Sequence, residues 1–231
     1  MTTRTATATK QKGFSLLTGF ILSIVMFGTL AFFLAGQGIN SGFGSTYSNT
    51  SKVSGLLTSA GYISTGFDTV TLGGATASQV TFDTGQYGIF NPTSGGAATQ
   101  SLDPTMFTDV SVQATSLAAA GGSHGYWIYR KDGITLNAVG TISSDFTLVA
   151  SGLKLGICQQ INNTLLGSTT IPSLSLAESA LVGTPAAASN NTVTTAVTLL
   201  TNGGIAGRLN GCYQTNDATP VYVYIHTLLA Q

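Results

Sequence analysis

From Phe14 to Ala35 the chain carries no charged side chain, and three basic residues, Arg4, Lys10 and Lys12, precede the run. No other feature limits the possible folds as tightly. At 1.5 Å per residue a helix over this stretch is about 33 Å long, enough to cross a bilayer core of roughly 30 Å. A secretory signal peptide has a shorter apolar core and ends in a small-x-small cleavage site. Cutting after Ala35 would put Phe33 where a small residue is needed, so a discarded signal is disfavoured. The segregated positive charge predicts the N-terminus inside and the bulk of the chain outside.

Composition fits an extracytoplasmic location. Charged residues make only 7% of the 231 positions, against roughly 25% in ordinary soluble domains, and Ser, Thr, Asn and Gly take their place. No basic stripe is available to neutralise phosphates, so nucleic acid is not expected as a partner. Removal of residues 1–13 would leave five basic side chains against eight acidic ones. The two cysteines, Cys158 and Cys212, read as one disulfide if the chain is exported, closing a loop of more than fifty residues. The alternative is a pair of buried thiols. Two cysteines and two isolated histidines show no zinc-ligand spacing, and no cofactor or metal is expected.

Lys10, Lys12, Gly13, Phe14, Ser15, Leu16 and Leu17 place a glycine between a basic leader and a long apolar segment. This pattern resembles the leader of type IV pilins and pseudopilins. The resemblance implies cleavage after Gly13 by a prepilin peptidase, methylation of the new amine on Phe14, and assembly through a helix beginning Phe14, Ser15, Leu16, Leu17, Thr18. It further implies copies of the chain or other pilin subunits as partners, an inner-membrane assembly platform, and a membrane-held state before assembly. The location implied is the bacterial inner membrane, with the head in the periplasm and later in a filament. One position departs from the pattern. Where the family carries a glutamate five residues after the cut, this chain has Thr18, which favours a minor or atypical subunit over an abundant shaft subunit. The rival is an uncleaved single-pass envelope protein with a β-rich binding or adhesion head.

The fold class expected is therefore α+β, with a long N-terminal hydrophobic α-helix packed onto a small antiparallel β-sheet head. The divisions are a leader over 1–13, a transmembrane and polymerisation helix over 14–35, a glycine-interrupted continuation over 36–62, and the head over 63–231. Within the head, VTLG, SQVTFDT and QYGIFN read as short strands between turns, with NPTSGG as a clear break. GYWIYRKDGITLNAVGTI reads as a hairpin turning at Asp132-Gly133, and SDFTLVASG as a strand or the approach to the next helix. LGICQQINNTLLG has helical spacing at Ile157, Ile161, Leu165 and Leu166. A Thr/Ala/Asn-rich insertion spans about 168–204. PVYVYIHTLLA reads as a strand with Val221, Val223 and Ile225 on one face and Tyr222, Tyr224 and His226 on the other. The position of Cys212 before this strand also resembles the C-terminal disulfide loop of type IV pilins.

No enzyme is expected. The single glutamate, Glu178, and the histidines His124 and His226 lie far apart in the sequence. His124 reads better as a turn residue than as a general base, and His226 as a satisfied surface or groove residue. Three triplets fit the N-glycosylation pattern, at Asn49, Asn162 and Asn190.

Overall fold

The computed structural model describes residues 42–98, 101–108, 124–136, 145–182, 192–193, 197–199, 201–202 and 210–229. The chain divides into two compact units, 1–47 and 48–231, and nearly all described residues belong to the second. The leader, the predicted spanning segment 14–35 and residues 36–41 lie outside the described residues.

Helix α1 covers Gly42–Leu72. Its buried apolar positions are Val53, Leu56, Ala60, Ile63, Phe67 and Val70. They step by three and four, which lines up one stripe along a helix. The opposite side carries Ser51, Ser54, Gly55, Thr58, Thr65 and Thr69 in the exposed class. Thr65 and Thr69 satisfy their hydroxyls on carbonyls one turn back, at 2.9 and 2.7 Å. Phe67 and Val70 extend the stripe, so the helix continues to Leu72 and VTLG is its last turn, not a strand. SQVTFDT and QYGIFN are not strands either. A single 3-10 turn, Ala77–Gln79, and one bridge between Thr81 and Gly88 are what they contain. Helical period outweighs the β preference of Thr and Val here, because the stripe has a sheet to pack against. Gly66 lies where α1 meets the following loop; a Cβ there would sit 2.6 Å from that of Ala97.

The strands are β1 Ile128–Leu136, β2 Asp145–Leu153, β3 Ser173–Leu174, β4 Thr192–Val193, β5 Val197–Leu199, β6 Thr201–Asn202, β7 Asn210–Gln214 and β8 Tyr222–Leu229. They form one sheet in the order β4-β1-β2-β8-β7-β3-β6, with β5 also paired to β1. The central pairs β1–β2, β2–β8 and β7–β8 are antiparallel. The pairs β1–β4, β1–β5 and β3–β7 are parallel.

Two corrections to the expected fold class follow. The sheet is mixed, not simply antiparallel, because short strands from the insertion add parallel partners at its margins. The helix that packs on the sheet is not hydrophobic throughout: α1 buries one stripe and turns hydroxyls and glycines outward, the pattern of a surface helix. Among the described residues no helix is long and apolar enough to cross a membrane.

The Asp132-Gly133 pair does not turn the chain. Arg130 faces Thr147 and Ile134 faces Asp145, so four steps on β1 match two on β2, and the dipeptide sits in a bulge within one strand. Three further expectations are met. SDFTLVASG is β2, PVYVYIHTLLA contains β8, and LGICQQINNTLLG contains helix α2, Leu155–Leu166.

Side-chain alternation gives the sheet two buried faces. Trp127, Tyr129, Phe146, Leu148, Ala150, Cys212 and Tyr224 join the stripe of α1 and Ile157 and Ile161 of α2 in one core. Ile128, Val149, Tyr213, Val223 and Ile225 form a second cluster with Leu174, Leu181 and Val182. The last two come from a five-residue helix, α3, Glu178–Val182. The buried Ser59 of α1 accepts from the indole nitrogen of Trp127 at 2.8 Å, so this polar contact within the first core is paired.

Candidate functional site

Of the residues singled out in the sequence, Gly13, Phe14, Ser15, Leu16, Leu17 and Thr18 lie outside the described residues. Cys158 and Cys212 are brought together as a disulfide with Cα atoms 5.4 Å apart, linking α2 to β7. Both are fully buried.

One turn after Cys158 on the same face of α2 stands Asn162, also fully buried. Its Nδ2 donates to the carbonyl oxygens of Cys212 at 2.8 Å and Thr170 at 2.9 Å, and its Oδ1 accepts from the Cys212 N–H at 2.8 Å. The side-chain amide thus takes both backbone groups of Cys212 that face away from β8, as a neighbouring strand would. Sulfur and amide together fix α2 to β7. Burial also removes Asn162 as a glycan acceptor in the folded protein.

The only glutamate and one of the two histidines, separated in sequence, meet in space. Glu178 opens α3, and its Oε1 lies 2.9 Å from Nε2 of His124 and accepts from the hydroxyl of Ser151 at 2.6 Å. The Glu178 backbone N–H donates to Oδ2 of Asp217, in the turn between β7 and β8, at 2.7 Å. His124 precedes β1 and bridges to Ser151. Next to Ser151, Gly152 has φ of +79°, and a Cβ there would sit 2.2 Å from the imidazole ring. Glycine is what lets the histidine lie against β2 at that point. At the other end of α3 the buried guanidinium of Arg130 donates to the carbonyls of Ala180 and Leu181. Burial pulls its pKa down to about 10, so it remains charged at physiological pH. Neither the Glu178 contacts nor the Arg130 anchor was anticipated from sequence, because both join segments tens of residues apart.

These contacts differ from those of a nucleophilic triad. There an imidazole stands between hydroxyl and carboxylate so that it can take the hydroxyl proton. Here the carboxylate stands in the middle, and Ser151 is fully buried. Chemically the cluster can bind α3 to the sheet and respond to charge.

His226 lies on β8 with Nδ1 3.0 Å from the hydroxyl of Tyr224. Burial depresses its pKa to about 4 and raises that of Tyr224, so both are neutral near pH 7. Among the described residues no group of three or more His, Cys, Asp or Glu side chains is placed to hold a metal ion.

Comparison with known protein families, with curated proteins and with solved structures finds no match to this chain.

Proposed function

We propose that this chain is a structural subunit of a type IV pilus or a type II secretion-like pseudopilus. It is processed by prepilin peptidase between Gly13 and Phe14 and assembled through the apolar segment Phe14–Ala35. The observation that carries the reading is the order of basic leader, glycine, phenylalanine and uncharged run at residues 10–35. The described part of the chain is compatible with a head carried outside the cytoplasm, with hydroxyl-rich exposed positions on α1 and an internal disulfide. Its partners would be other subunits, the processing peptidase and an inner-membrane platform, and its role structural rather than catalytic. Within that reading Thr18 favours a minor or atypical subunit; the second reading is an uncleaved single-pass envelope protein with a binding or adhesion head. In that case no glutamate is needed at this position, because no neighbouring subunit's amine has to be paired.

N-terminal analysis of the protein from its native host separates the two. A chain beginning at methylated Phe14 supports the filament subunit, and a chain that keeps residues 1–13 refutes it. Gly13→Leu should abolish processing.

A further inference from the structure

The geometry points to helix α3 being a charge-held clasp on the second face of the sheet, one that loosens when Glu178 loses its charge. Both ends of this five-residue helix are tied by ionisable side chains. At the start, Glu178 Oε1 receives Ser151 and His124 at 2.6 and 2.9 Å, and Asp217 receives the Glu178 N–H at 2.7 Å. At the finish, Arg130 holds the carbonyls of Ala180 and Leu181. Between them Leu181 and Val182 cover Ile128, Val149, Val223 and Ile225.

Further contacts flank the clasp. Around it, Asn216 bonds Ser175 and Leu176, and β3 pairs with β7 only at Ser173 and Gln214. A short segment tied at its ends by charge-assisted bonds opens locally at a lower free energy than the sheet beneath it.

The ionisable groups among the described residues against the clasp or on the sheet face beneath it are His124, Glu178, Asp217, Arg130, Asp145, Tyr126 and Tyr213. Burial pushes Tyr213 up to about 12, and Arg130 stays charged, so the contact that acid alters at the start of α3 is that between His124 and Glu178. Two effects then run in opposite directions. Charging His124 while Glu178 is ionised turns the hydrogen bond into an ion pair and tightens the clasp. Neutralising Glu178 removes that pair and weakens the bond from Ser151, so α3 loosens and the apolar face below it is uncovered.

The test is amide hydrogen exchange on the folded, disulfide-intact protein, corrected for intrinsic rates. In Glu178→Gln at pH 7 the amides of 178–182 should exchange at least fivefold faster, with those of Val223–Ile225 unchanged. Wild type should show its greatest protection of 178–182 in mild acid and approach the variant's behaviour in stronger acid. A smaller change in the variant, or equal acceleration in Val223–Ile225, overturns the proposal. If Glu178→Gln does not fold, Ser151→Ala removes one bond from the same oxygen and is judged by the same comparison.

Discussion

Replacing Asn162 by alanine should be among the most destabilising single changes in the described part of this chain. Asn162 is fully buried and makes three hydrogen bonds, two of them to the backbone of Cys212. Alanine removes the partners without removing the need for them. The Cys212 N–H and C=O stay buried beside the disulfide, and each stranded group costs about 1–3 kcal/mol. The Thr170 carbonyl belongs to an exposed residue and can be hydrated, so it adds little. The expected loss is about 3–5 kcal/mol, a large share of the roughly 5–15 kcal/mol that holds a typical domain together. Asn162→Asp separates hydrogen bonding from shape. One carboxylate oxygen still accepts from the Cys212 N–H, but the other confronts two carbonyl oxygens without a proton to offer. That variant should be at least as unstable as alanine near pH 7 and recover part of the loss in acid. Urea unfolding with the disulfide intact, analysed by linear extrapolation, gives both numbers. A loss below 1 kcal/mol for Asn162→Ala would refute the view that this amide stands in for a strand at the edge of β7.

Three further outcomes are expected. His226 has a folded pKa near 4 against an ordinary value of 6.5, so between these values the unfolded chain binds more protons; stability is full above about pH 6.5 and falls as pH drops towards 4, by up to roughly 3 kcal/mol. Urea midpoints at pH 7 and 4.5 should differ less in His226→Gln than in wild type, and an identical difference would exclude His226 as the source. Gly152→Ala should cost more than about 2 kcal/mol in the same assay, since the positive φ disfavours a side chain and the new Cβ meets the His124 ring; a loss under 0.5 kcal/mol would contradict that packing. Reducing the Cys158–Cys212 bridge, which spans 54 residues, should cost roughly 4 kcal/mol in the loop-entropy view, read as a lower melting temperature in reductant.

Local pattern alone determined several elements. The alternation of PVYVYIH assigned Val223 and Ile225 to one face of a strand and Tyr224 to the other, and the sheet places the two faces in different buried clusters. Helical spacing around Ile157 and Ile161 marked α2, and the even cysteine count under export pointed to the bridge that closes α2 onto β7. These signals are carried within a few residues, or by a pair with no other partner of its kind. The resemblance at residues 10–35 likewise belongs to the sequence alone.

Tertiary context decided the rest. Whether Phe67 and Val70 end a helix or begin a strand depended on a sheet face waiting to receive the stripe of α1. Asp132-Gly133 carries a turn signal, yet β1 runs through it because a bulge lets both halves pair with β2. Glu178 lies in a stretch that reads as featureless insertion, and it gains meaning only where the fold sets it against His124 and Ser151. Asn162 looks like any polar residue on a short helix until β7 brings it an unpaired backbone edge. Such roles arise from contacts fifty residues apart along the chain, and no local pattern records them, because the free energy of a buried polar group depends on which distant partner the fold supplies.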